Sequence, residues 1–350
     1  MEYVEYIDKN EYVILYRMYG SGGIAEIPAM VAGRPVKMLA DHLFADRPSE
    51  LYKPFQIRRA YLKGEEYLPE EECRPESDQS VPDGSSGGEA LAGTSIEIIR
   101  IPEGVEGIGN YAFYGCYRLR EISFPSTMKR IGYGMFNGCR QVRLLYFSLG
   151  EGPAQMPGAV SNPPVMKEVL DAVTNRVEAV VNGSGIEQWR LTFPDYYEEG
   201  KENTPARIIE IVYHGTGYQY RNCFLNRRIE FDKYDEVFPF AAAQESVDTC
   251  VSIIRNRLRR GPAPKEEWSY RYIDYIRTES EALIGAILED TIHDPVSELE
   301  ILDGYGYFTS DIVDRFIRYA TDKKRSDAVS CLMNIKRARF APSGTSKYEL

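Results

Sequence analysis

The sequence predicts an α+β chain in three parts: a short solenoid of stacked strands, a β-rich middle domain and a C-terminal all-helical array. Three observations predict it. The segment from Ile101 to Phe147 aligns with itself at a shift of 23 residues. The stretch 176–231 alternates apolar and polar side chains around Gly-containing turns. Beyond Phe240 the apolar residues recur at the helical period. The predicted domains are 1–150, 163–238 and 240–340.

In the self-alignment Pro102 falls on Pro125, Val105 on Met128 and Ile108-Gly109 on Ile131-Gly132. Ala112-Phe113 falls on Met135-Phe136, Gly115-Cys116 on Gly138-Cys139 and Leu119 on Val142. Units of this size cannot bury their own apolar face, so they must stack and share one core. The pattern I-P-x-x-V-x-x-I-G-x-x-A-F-x-G-C-x-x-L-x-x-I-x-F-P resembles the BspA-type leucine-rich repeat. The resemblance covers 96–147 and, in weaker form, 24–44. It implies a leucine-rich-repeat solenoid with a ladder of short strands and a role in binding other molecules. It brings no catalytic residue with it.

Taken in order, residues 3–19 are rich in Tyr, Val and Ile, with Tyr12, Ile14, Tyr16 and Tyr19 at strand spacing. A β-hairpin here would cap the open end of the stack, because terminal units must hide the core. Ile24–Pro28, Val36, Leu39, Leu43 and Phe44 read as a first unit. Phe44 precedes Phe113 by three periods, which fits if the chain between supplies two degenerate rungs, with 49–62 as the candidate for part of them. The stretch 64–94 holds nine acids against Arg74, several prolines and a Gly-Ser run, and is expected to be a disordered acidic insert.

Three strands then align: Ile96–Ile101, Leu119–Phe124 and Val142–Phe147. Alternation turns Ile99, Ile122 and Leu145 inward. It turns Arg100, Ser123 and Tyr146 outward, joined by Ile98, Glu121 and Leu144, with Glu26 in the corresponding place of the first unit. This face is the candidate binding site for another protein; the plainer reading is an ordinary solvated surface. Cys116 and Cys139 hold one repeat position and should stack as small buried side chains about one strand spacing apart.

A Gly- and Pro-rich stretch, 148–164, reads as a domain boundary. Arg176–Val181 and Gln188–Phe193 read as a hairpin around Asn182-Gly-Ser-Gly185. Ile208–Tyr213 and Tyr218–Phe224 read as a second hairpin around His214-Gly-Thr-Gly217, and Arg228–Phe231 as one further strand. This middle part is dense in aromatics, including Trp189, Phe193, Tyr196, Tyr197, Tyr213, Tyr218 and Tyr220, with Arg190 and Arg221. Exposed rings would stack on sugars, so a glycan-binding module is the alternative function; a tyrosine-rich core is the plainer reading. Helical spacing follows in 247–258, 268–276, 283–292, 296–302, 312–320 and 328–333, with Thr309 or Ser310 as a cap. Short loops suggest antiparallel neighbours in an ankyrin-like or helical-hairpin array.

Chemistry is thinly represented. The three histidines are His42, His214 and His293. A hydrolase built from His214, Cys223 and Asp232 is conceivable but lacks any nucleophile motif. The six cysteines show no zinc spacing. We therefore expect no enzyme, cofactor or metal site. The net charge of −11 comes largely from the acidic stretch, and no basic stripe points to nucleic acid or an anionic membrane. The first residues lack a secretory leader pattern, and no run nears the roughly 18 apolar residues of a membrane span. The expectation is a cytoplasmic protein that binds another protein.

Overall fold

Alternating Tyr, Val and Ile residues form the antiparallel hairpin β1 (Tyr3–Asp8) and β2 (Val13–Tyr19), which turns at Lys9–Tyr12. The computed structural model describes residues 2–73, 90–150, 163–203 and 208–340. The chain divides into two units, Met1–Glu230 and Phe231–Leu350. After the hairpin come β3 (Ile24–Glu26), β4 (Met30–Val31), β5 (Arg34–Leu39), β6 (Ile57–Lys63), β7 (Glu66–Pro69) and the short helix α1 (Glu70–Cys73). The hairpin is the centre of a sheet in the order β4-β5-β2-β1-β6-β7, so it is more than a terminal cap.

The repeat strands are β8 (Ile98–Arg100), β10 (Glu121–Phe124) and β11 (Leu144–Leu149), with the small β9 (Gly107–Ile108) on the other side of the repeats, where it pairs with β5. They form a second sheet, β13-β12-β11-β10-β8-β3, with β12 at Val177–Gly183 and β13 at Ile186–Phe193. Every pair from β3 to β12 is parallel, and β12–β13 is antiparallel. Ala25, Ile99, Ile122, Leu145, Ala179 and Leu191 lie in one register row and are all buried. Behind them Phe124 stacks on Phe147 at 5.2 Å, while Phe44, Phe113 and Phe136 form a second aromatic file at 6.2 and 5.9 Å. Free Cys116 and Cys139 are buried in the same rungs.

Two expectations about this region are corrected. No degenerate rungs separate Phe44 from Phe113: β3 pairs directly with β8, and the Phe44 N–H donates to the Ala112 carbonyl. Of the intervening chain, Ile57–Lys63 pairs instead with β1. Nor is all of 64–94 irregular. Glu66–Pro69 is the strand β7, Glu70–Cys73 is helical, and Ala90 bridges Tyr19. The remainder of that expectation, 74–89, lies outside the described residues.

Successive rungs are clasped by polar side chains at the repeat spacing. Asp41 Oδ1 accepts from Asn110 N at 2.9 Å, and Asn110 Oδ1 accepts from Tyr133 N at 3.1 Å. Glu106 bridges Lys37 and Lys129, whose hydrogen bonds hold its carboxyl down to about 2. The backbones meet at the repeat glycines. A methyl on Gly132 would strike the Gly109 carbonyl and the Asn110 nitrogen. Backbone cannot swing aside as a side chain can, so Gly132→Ala is expected to cost about 2–3 kcal/mol in a urea melt. A loss under about 0.5 kcal/mol would mean that the rungs are not held at this distance.

The expected boundary at 148–164 does not interrupt the sheet, because β11 pairs along its length with β12. The first predicted hairpin of the middle part, β12–β13, is therefore the continuation and end of the repeat sheet. The helix α2 (Met166–Asp171) precedes it. The second predicted hairpin is also re-paired. Strand β14 (Tyr197–Asn203) pairs with β15 (Ile208–His214), and residues read as a strand begin instead with the helix α3 (Gly217–Arg221). A small hairpin, β16 (Phe224–Leu225) and β17 (Arg228–Ile229), ends the unit.

The second unit is helical, as the spacing predicts. It comprises α4 (Phe231–Glu236), α5 (Phe238–Gln244), α6 (Val247–Arg259), α7 (Glu266–Thr278), α8 (Ser280–Glu289), α9 (Pro295–Gly304), α10 (Ser310–Asp322) and α11 (Ser326–Phe340). Ser246, Asp294 and Thr309 cap α6, α9 and α10 by accepting first-turn N–H bonds. Val251, Ile254, Tyr272, Ile276, Leu283, Ile287, Leu299, Val313, Phe316 and Leu332 form its core. Inside it Asp235 and Arg257 make a fully buried ion pair.

Candidate functional site

The outer face of the repeat sheet is built from two register rows. One runs Ile24, Ile98, Glu121, Leu144, Glu178 and Thr192; the other runs Glu26, Arg100, Ser123, Tyr146, Val180 and Arg190. All seven residues singled out from the sequence, Glu26, Ile98, Arg100, Glu121, Ser123, Leu144 and Tyr146, are thus brought onto one face. Neighbours within a row are separated by the strand spacing of about 4.8 Å.

Exposure is graded across the face. Glu26 and Arg100 are exposed; Ile98, Glu121, Ser123, Leu144 and Tyr146 are half-buried; Val180, Arg190 and Thr192 are buried. At the open end Arg100 Nη1 donates to Glu26 Oε1 at 2.9 Å. With both side chains more than half exposed, this pair adds little stability. At the closed end Arg190 bonds Glu178 at 2.9 Å and Glu187 at 2.8 Å. Between them stands the Tyr146 phenol, pushed up by burial and then by the Glu121 carboxylate. The face therefore offers an aromatic ring, two aliphatic side chains, and charges of both signs.

Sequence reasoning missed Ile24, Glu178, Val180, Arg190 and Thr192 on this face. Their strand alternation is visible, but β12 follows β11 at a spacing that is not the repeat period, so self-alignment cannot find it. It also missed the turns, where Tyr111 lies edge-on to Tyr114 and Tyr133 at 6.1 and 5.0 Å.

Of the other candidates, Tyr196, Tyr213 and Tyr218 cluster, with ring centroids 3.6 to 6.3 Å apart, and Tyr197 and Tyr213 are exposed. His214 Nε2 lies 2.9 Å from Glu199 and its ring stacks on Tyr197, whereas the buried Cys223 thiol donates to the Gln219 carbonyl. Asp232 pairs with Lys265. Trp189, one of the aromatic residues behind the alternative glycan-binding reading, is only 2% exposed because alternation turns it inward opposite Val181. Phe193, Tyr220, Arg190 and Arg221 are buried as well. Among the described residues no group of His, Cys, Asp and Glu is arranged to hold a metal, and no helix is long and apolar enough to cross a membrane.

Comparison with known families matches residues 85–150 to the BspA type leucine rich repeat region (6 copies), so this segment is a leucine-rich-repeat segment. No curated protein and no solved structure matches the chain.

Proposed function

We propose that the chain is a protein-interaction scaffold whose outer repeat-sheet face, acting as a short solenoid surface, recognises another protein. The observation that supports this most is the collection of Arg100, Tyr146, Ile98 and Leu144 in two regular rows on one exposed-to-half-buried face. Arginine and tyrosine are the side chains that most often anchor protein interfaces. The repeat family is one whose repeats serve protein interaction, which favours the same reading. A flat face of short rows suits a protein surface better than a small molecule, which needs an enclosing pocket.

The test is a double variant, Arg100→Ala with Tyr146→Ala, measured against a partner captured by the wild-type protein. Both side chains lie on the outer face, so circular dichroism should stay unchanged. Partner affinity should fall at least about tenfold, the scale of one hot-spot residue. Unchanged affinity would remove this face from the reading.

A further inference from the structure

We propose a second recognition site at the open edge of the repeat sheet: a cleft that takes an extended, lysine- or arginine-bearing peptide as an added strand on β3. Among the described residues β3 is the last strand of its sheet and pairs only with β8. The Gly23 carbonyl accepts from Ile98 N at 3.0 Å, and Ile27 N donates to the Arg100 carbonyl at 3.0 Å. Parallel pairing alternates, so the backbone groups of Ile24 and Glu26 point the other way, off the sheet. Such groups are a template for another strand.

The edge opens onto a cleft of about 840 Å³ formed by β3, β4 and the β6–β7 turn. That volume holds a few residues of extended chain. Ile24 and Met30 are half exposed there and supply apolar contact. Among the described residues four carboxylates line it, from Glu2, Glu26, Glu65 and Glu66, and no lysine or arginine does. Glu26 is shared with Arg100, but Glu2, Glu65 and Glu66 make no ion pair among the described residues. A strand laid along β3 turns alternate side chains to the outer face, where Ile24 and Glu26 both lie, so the stem of a basic residue there meets Ile24 while its charge meets the carboxylates. Charge argues against the other occupants. A second copy carries the same net −11, and the chain's own 74–89 stretch is acidic.

The experiment is fluorescence anisotropy of a labelled peptide alternating lysine and valine, titrated with the full chain. Three comparisons accompany it: the peptide with glutamate for lysine, the peptide N-methylated at alternate residues, and the Glu2→Lys, Glu65→Lys, Glu66→Lys variant. We expect saturable binding that drops about tenfold or more with each change, because one removes charge attraction, one removes strand pairing and one reverses the cleft. The Arg100→Ala, Tyr146→Ala protein should bind the peptide at least as well as wild type, which separates this site from the sheet face. Absence of saturable binding overturns the proposal. So does N-methylated peptide binding as well as its parent, which would reduce the effect to general charge attraction. A wild-type dimer that the triple variant abolishes would give the edge to a second copy and overturn it too.

Discussion

Arg221→Met should destabilise the first unit by about 4 kcal/mol, summed from backbone carbonyls left without donors. Arg221 is 1% exposed and makes no ion pair among the described residues. Its Nε donates to Leu170 O and Val173 O at 3.0 Å each, its Nη1 to Pro194 O at 2.6 Å and Gly217 O at 3.1 Å, and its Nη2 to Asn175 O at 2.8 Å. One side chain therefore satisfies the end of α2, the exit of β13 and the start of α3. Burial brings its ionisation down to about 10, so it stays charged at neutral pH. Methionine fills comparable volume but supplies no donor. Arg221→Lys keeps the charge with fewer, differently directed donors and should recover less than half of the loss. The chain has two tryptophans, Trp189 in the first unit and Trp268 in the second. In a Trp268→Phe background, urea unfolding followed by Trp189 fluorescence reads the first unit alone. A loss under about 1 kcal/mol would mean that these carbonyls find other donors.

Asp235→Asn should cost the helical unit about 3–5 kcal/mol, the range for breaking a buried ion pair from one side. Arg257 donates to both carboxylate oxygens, at 2.7 and 2.8 Å, and the Tyr272 hydroxyl donates to Oδ1 at 2.7 Å. Asp235 and Arg257 are 0% and 1% exposed as side chains. Burial pushes the Asp235 carboxyl up even against the pull of Arg257 and Tyr272. Asparagine leaves the guanidinium buried without its counter-charge. The double change Asp235→Leu, Arg257→Met removes both charges and should lie within about 1 kcal/mol of wild type. Thermal melts of the three proteins, read as helical circular dichroism, make the comparison. A double variant as unstable as the single one would show that the network, and not the stranded charge, accounts for the loss.

Much of the repeat sheet was legible because its signal is local and periodic. Ile99, Ile122 and Leu145 repeat at one spacing, so their inward direction and the outward rows follow from strand alternation alone. The candidate face was legible for the same reason. What was not legible depends on partners distant in sequence. The three-period gap between Phe44 and Phe113 looks like missing rungs, but nothing in the sequence says that Ile57–Lys63 prefers β1 as its neighbour. The continuation into β12 lacks the repeat spacing, so it reads as a new domain. The strand predicted over Tyr218–Phe224 fails because α3 must bring Arg221 to carbonyls on three other segments. Gly217, read there as a hairpin residue, instead lets the chain pass against the Pro194 carbonyl. Helical spacing in the second unit was read directly because caps and apolar stripes lie within each helix.

The direct seating of β3 on β8 also has a consequence for the order of folding. The Glu26–Arg100 contact spans 74 positions, whereas the later rungs meet across 23, as Glu103 and Ser126 do. Closing the longer loop costs about 1 kcal/mol more entropy, because the cost grows with the logarithm of length. The later rungs can therefore nucleate by themselves, and the first rung joins a surface that already exists. In the native state the same inequality makes β3 the rung that detaches at the lowest free energy, and hydrogen exchange would spread through the stack from that end.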